Sequence, residues 1–129
     1  MQLIVKNIKW VMLVSGMLTF SMVYAVFAPE AAVTNMFGEA IAGPVANIVV
    51  RSWGALIALI GVMLIYAAFN PANRKFAATI AAVSKFVWVG LVFFLGGEFL
   101  DTAGLAISFD AVVAVILSTY VLVPVQQSV

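Results

Sequence analysis

The stretch "RSWGALIALIGVMLIYAAFNPANRKFAATIAAVSKFVWVG", residues 51–90, decides the fold, because one short polar segment separates two long apolar runs there. That segment, "NPANRK" at residues 70–75, contains Pro71, which cannot continue a helix, and Asn73, which can cap the next one. A helix of about 20 mostly apolar residues crosses the ~30 Å hydrocarbon core of a bilayer. The stretch therefore predicts two transmembrane helices joined as an antiparallel hairpin.

The composition extends this prediction to the whole chain. Of the 129 residues, 66% are hydrophobic and only 9% are charged, which is outside the range of soluble domains. Two further apolar runs flank the hairpin, so we expect one all-α domain over residues 1–129, a polytopic membrane protein with four transmembrane helices in an antiparallel bundle. The predicted spans are residues 8–28, 45–69, 76–95 and 107–125.

Two segments between the spans are too short or too interrupted to cross a membrane. Residues 29–42 are either a short helix at the membrane interface or plain loop; Pro29 suits the first position of a helix, and Glu30 suits the helix dipole beside it. The segment "EFLDTAGLAIS", residues 98–108, is predicted to be a loop leading to the last span.

The chain contains no cysteine and no histidine. Their absence removes thiol redox chemistry, most zinc and iron–sulfur sites and the usual haem ligands. We therefore expect no cofactor and no enzymatic activity. The net charge is +1 without a run of basic residues, so nothing indicates binding to nucleic acid.

Basic residues in short loops predict the orientation of the spans. Lys6 and Lys9 precede the first span, and Arg74 and Lys75 lie between the second and third, whereas the acidic residues fall toward the opposite side. Both termini are therefore expected on the cytoplasmic side of a bacterial inner membrane.

Small residues predict where helices approach each other closely. Gly54, Ala58 and Gly61 lie on one face of the second span, which lets another helix approach closely, and Ser15, Gly16 and Thr19 form a face of the same kind on the first span. Trp53, near the outer end of the second span, is predicted to anchor that helix at the membrane interface.

Charged residues inside the spans are the candidate functional residues. Lys85 is placed near the bilayer midplane, where a lysine costs ~3 kcal/mol, so it should face the bundle interior, a partner or water. Trp88 shares its helix face. Arg51 and Asp110 are placed nearer the outer side, at similar depths, where they can pair directly.

The role of Lys85 has three alternatives at this point. It can form an ion pair or a water-linked cluster with Asp110, which the depths place roughly two helical turns above it, with Glu98 as the other candidate acid. It can instead form the base of a polar pocket that binds a substrate, a lipid head group or a proton. It can also contact another subunit.

The arginine that opens "RSWGALIALIGVML", residues 51–64, followed by a helix rich in glycine and alanine and by the "NPANRK" hairpin, resembles the DoxX-like group of small bacterial four-helix membrane proteins. The resemblance covers the middle half of the chain. It implies a four-helix membrane fold and, through relatives linked to membrane redox enzymes, a role as a small partner subunit.

Together these features predict a non-catalytic accessory or assembly subunit, which contacts the lipid bilayer and associates with other membrane subunits or with itself. The alternative function is an oligomeric transporter or ligand-binding protein, in which Arg51, Lys85 and Asp110 bind a solute that enters from the outer side. 

Overall fold

The computed structural model describes residues 2–40, 42–97 and 100–123, and these residues form helices without any β-strand. Two short turns, Ser21–Val23 and Pro71–Asn73, are 3₁₀ helices. The α-helices are α1 (Gln2–Phe20), α2 (Tyr24–Phe27), α3 (Pro29–Phe37), α4 (Pro44–Ala68), α5 (Arg74–Leu95) and α6 (Leu100–Leu122).

Four helical segments are long and apolar enough to cross a membrane, namely Leu3–Phe27, Pro44–Ala68, Pro71–Leu95 and Gly104–Leu122. Large apolar side chains cover their outer faces; Phe94 and Leu105, for example, are each 87% exposed. Such a surface is suited to lipid rather than to water. The prediction of an all-α polytopic membrane protein is therefore confirmed.

Several boundaries differ from the predicted ones; α1, for example, begins at Gln2 rather than at residue 8. The helix of residues 29–42 exists but ends at Phe37, because Gly38 takes the left-handed conformation (φ 76°) that terminates helices. The predicted loop at residues 98–108 is wrong from Leu100 onward, since α6 begins there with Asp101 in its first turn, where a carboxylate favours the helix dipole. A single glycine, Gly104, does not interrupt this helix.

Glycines let α1 and α4 approach to backbone contact. A Cβ atom added at Gly61 would lie 2.4 Å from the backbone nitrogen of Phe20 and 2.7 Å from the carbonyl oxygen of Gly16. One added at Gly54 would lie 2.7 Å from the Cβ atom of Ala25. The predicted small-residue faces are therefore confirmed as the contact between the first two spans.

The bundle consists of two helix pairs that are joined at one end. Helix α1 packs mainly against α4, and α5 packs mainly against α6. A buried apolar cluster from all four helices closes the end of the bundle at which the chain starts. Its members are Ile8, Met12, Leu64, Ala67, Ala68, Ala77, Ala78, Ala81, Ala82, Val113 and Leu117. At the other end, α3 packs against α2, α4 and α6.

Basic side chains bind helix C-termini at the closed end. Arg74 donates to the carbonyl oxygens of Ala67 (3.2 Å) and Ala68 (2.7 Å) at the end of α4. Lys75 donates to the carbonyl of Val121 (3.2 Å) and to that of Val123 at the end of α6. A cation in the last turn stabilises a helix by about 0.3–1 kcal/mol, so these residues tie α5 to both of its neighbours. The predicted cap, Asn73, makes no side-chain capping hydrogen bond.

Candidate functional site

A cavity of about 480 Å³ lies between the two helix pairs, in the half of the bundle away from the closed end. All four spans and α3 contribute residues to its lining. Most of the lining is apolar, and Lys85 and Asp110 bring the charged groups into it. The lining residues are Leu18, Thr19, Met22, Met36, Trp53, Ile57, Ile60, Ser84, Lys85, Trp88, Leu105, Ala106, Phe109 and Asp110.

Lys85 and Asp110 form an ion pair in the cavity wall. The ammonium nitrogen Nζ of Lys85 donates to Oδ1 of Asp110 at 2.8 Å, and it also lies 3.4 Å from the hydroxyl oxygen of Thr19. The side chain of Lys85 is 8% exposed and that of Asp110 is 22% exposed. The predicted interhelical ion pair is therefore confirmed, and it links α5 to α6 with α1 beside it.

Lys85 and Asp110 meet directly because α6 begins at Leu100, earlier than the sequence predicts. Lys85 precedes the end of α5 at Leu95 by the same number of residues by which Asp110 follows the start of α6 at Leu100. With a rise of about 1.5 Å per residue, both lie about 15 Å from that end of their helices. Antiparallel neighbours therefore bring them to one level, and the predicted separation of two helical turns is wrong.

The predicted pair between Arg51 and Asp110 is also wrong. Arg51 donates instead to Oδ1 of Asn47 (2.7 Å), one turn earlier on α4, and to the carbonyl oxygen of Val26 (2.6 Å) near the end of α2. Helix ends leave carbonyl groups without partners, and an arginine satisfies them well. Arg51 is not among the residues that line the cavity.

Trp88 lies in the cavity wall among other aromatic rings. Its ring centroid is 5.7 Å from that of Trp53 and 5.8 Å from that of Phe37, which meets it edge-on at 73°. These separations are typical of favourable aromatic pairs. The predicted association of Trp88 with Lys85 is thus observed in the lining of one cavity.

Other lining residues were not predicted as part of a site. Trp53, expected at the membrane interface, lines the cavity beside Trp88. A signal for it exists in the sequence, because Trp53, Ile57 and Ile60 follow helical spacing along a stripe next to the glycine face of α4. Nothing comparable marks Met36 of α3. Glu98, the other predicted acid, lies outside the described residues.

Within residues 2–40, 42–97 and 100–123, no three acidic, histidine or cysteine side chains gather in a group that could hold a metal ion. The cavity is a mostly apolar volume whose lining includes a hydrogen-bonding ion pair and two indole rings. This arrangement can orient an amphiphilic molecule. No family model, curated protein or solved structure matches the chain.

Proposed function

We propose that this membrane protein binds a small amphiphilic molecule in the cavity between its two helix pairs. The cavity itself is the observation that carries the proposal. Ligand sites are mostly apolar clefts of about 300–1,000 Å³ with a few polar groups that fix orientation, and a volume of about 480 Å³ with an ion pair in its wall fits that description. The proposal takes up the ligand-binding alternative, with Trp88, Lys85 and Asp110 in the site and without Arg51.

A packing defect is the competing explanation of such a volume. Protein interiors are close-packed, and voids larger than a water molecule are few. The closed end of this bundle follows that rule, since Met12, Leu64 and Leu117 are fully buried there. The open volume lies beside the charged pair, and ionisable residues within a membrane are costly and therefore usually mark a functional site. A binding site explains both features together.

Filling the cavity should abolish binding. Ala106→Phe places a ring in the cavity wall, whereas Val112→Phe, on the same helix at a position that is 58% exposed, serves as the matched control. After isolation in a mild detergent, mass spectrometry of extracted small molecules should find one compound enriched with the wild type and with Val112→Phe. Ala106→Phe should retain less than about a tenth of it, the loss expected for severe steric overlap.

The same isolation tests the role as an accessory or assembly subunit. A subunit of that kind should keep its co-isolated membrane proteins in the Ala106→Phe variant, because the substitution does not change the outer faces of the helices. If the two phenylalanine variants retain identical small molecules and the wild type copurifies with a larger complex, the accessory role replaces the binding role.

We further infer that the protein lies in a bacterial inner membrane with its closed end on the cytoplasmic side, because Lys9, Arg74 and Lys75 gather there. Since the chain lacks cysteine, single substitutions report accessibility cleanly. A membrane-impermeant maleimide should label Asn35→Cys in intact spheroplasts and Ala72→Cys only in inverted vesicles; both positions are exposed. The reverse labelling pattern would refute this orientation.

A further inference from the structure

The charge balance of the cavity limits what it can hold. Among the lining residues, all of which are in the described part of the chain, only Lys85 and Asp110 are charged, and they neutralise each other across 2.8 Å. A ligand with net charge would either bring an uncompensated charge into an apolar volume or separate the pair and leave one of its members unpaired. A ligand without net charge avoids both costs.

The pair presents an acceptor rather than a donor to the cavity. The side chain of Asp110 is more exposed than that of Lys85, 22% against 8%. A carboxylate can accept several hydrogen bonds at once, and Lys85 occupies one of those sites. Two of the three N–H donors of the Lys85 ammonium point to Asp110 and Thr19, and the third belongs to the less exposed side chain of the pair. A ligand therefore gains most from a hydroxyl or N–H group that donates to Asp110.

The aromatic part of the lining favours a flat ring. Trp53 and Trp88 line the cavity with their rings tilted by 35° and 5.7 Å apart, and Phe109 contributes a third ring. The edge of Phe37 and the cluster around Val92 and Ile107 hold Trp88 in position. Offset stacking between aromatic rings adds attraction beyond the burial of apolar area.

We propose that the ligand is an uncharged aromatic molecule whose hydroxyl or N–H group donates to Asp110 while its ring packs on Trp53 and Trp88. This inference deepens the proposed function and rests on it. It assigns separate roles to two sets of lining residues: Asp110, held by Lys85, selects the polar group, and the indole rings select the apolar part.

Four probes that share one ring system test the inference. They are 2-naphthol, which is uncharged and donates; 2-methoxynaphthalene, which is uncharged and only accepts; 2-naphthoate, an anion; and 2-naphthylmethylammonium, a cation. Binding is measured at pH 7 by isothermal titration calorimetry on the protein in phosphatidylcholine nanodiscs, and empty nanodiscs correct for partition into lipid. We expect 2-naphthol to bind about tenfold more tightly than each of the others, as a hydrogen bond to a charged group implies.

Variants test whether the preference for 2-naphthol depends on the ion pair and whether the affinity for the ring depends on the indole rings. The double variant Lys85→Met/Asp110→Leu keeps the cavity neutral and should reduce the preference for 2-naphthol over 2-methoxynaphthalene to less than about twofold. Trp53→Leu should weaken both uncharged probes about threefold and leave their ratio unchanged. Trp10→Leu, at a position that is 59% exposed, is the control and should change neither.

Equal affinities of 2-naphthol and 2-methoxynaphthalene for the wild type, or tightest binding by either charged probe, would overturn the inference. So would the absence of binding by all four. These results leave the proposed function standing if a compound extracted with the wild type is still lost in Ala106→Phe. If no such compound is found either, the proposed function fails as well.

Discussion

Lys85→Met is expected to lower the free energy of unfolding by about 3 kcal/mol, the lower end of the cost of removing one partner from a buried ion pair, because the side chain of Asp110 is 22% exposed. Asp110 would remain inside the bundle without the ammonium that lies 2.8 Å from Oδ1, so its charge would be carried unpaired or neutralised at a cost in free energy. Unfolding in mixed micelles, followed by circular dichroism as the denaturing detergent is increased, measures the change. Asp110→Leu should have a comparable effect, because it leaves Lys85 with only Thr19 nearby.

The double variant Lys85→Met/Asp110→Leu measures what the intact ion pair contributes to stability, because it leaves neither charge unpaired. Replacing a buried ion pair with apolar residues of similar size is often neutral or stabilising, so this variant should lie within about 1 kcal/mol of the wild type. Lys75→Met controls for the loss of a lysine as such and should cost about 1 kcal/mol, since Lys75 caps α6 rather than pairing with an acid. Three equal losses in the single and double variants would contradict a buried pair.

The comparison of the single and double variants also tests why the ion pair is present. If the double variant is as stable as the wild type, the pair is not needed for folding. Its cost in the membrane is then explained by what it binds. A strongly destabilised double variant would mean instead that the pair fixes the register of α5 against α6, and the cavity would be a consequence of that register.

The fold could be predicted from the sequence because a membrane span depends on the hydrophobicity of about 20 consecutive residues, which is a local property. Runs of apolar residues, Pro71 and the glycine face of α4 each act within a few residues of their position. The start of α6 could not be predicted in the same way. Asp101 and Gly104 are residues typical of loops, yet Asp101 stabilises the first turn of this helix and Gly104 lies within it.

The start of α6 at Leu100 determines how much of the site can be predicted from the sequence. The sequence places Asp110 too near the outer end, so it predicts a pair with Arg51 in addition to the pair or water-linked cluster with Lys85. Arg51 donates instead to Asn47 on its own helix and to the carbonyl of Val26, and a backbone acceptor leaves no signal in a sequence. Trp53 was missed for a related reason: a tryptophan near a helix end is typical of the membrane interface, and only packing places its ring beside Trp88.

Gly61→Ala is expected to lower the free energy of unfolding by about 2–3 kcal/mol, near the upper end of overpacking costs, although alanine favours a helix more than glycine does. The added Cβ atom would lie 2.4 Å from the backbone nitrogen of Phe20 and 2.7 Å from the carbonyl oxygen of Gly16. Both neighbours are backbone atoms, so no side chain can rotate away and α1 must move as a whole. Detergent-induced unfolding, compared with that of the wild type, measures the loss.

Two other glycines provide a graded control for this contact. An added Cβ atom at Gly16 would lie 2.9 Å from the carbonyl oxygen of Gly61, whereas one at Gly90 would have nothing within 4 Å. Gly16→Ala should therefore cost less than Gly61→Ala, and Gly90→Ala should be neutral or stabilising by up to about 1 kcal/mol. Equal stabilities for all three variants would contradict the backbone contact. Thr19 of α1 and Met22 in the turn after it line the cavity. A displacement of α1 by Gly61→Ala should therefore also weaken binding of 2-naphthol, which connects the packing of the first two spans to the site.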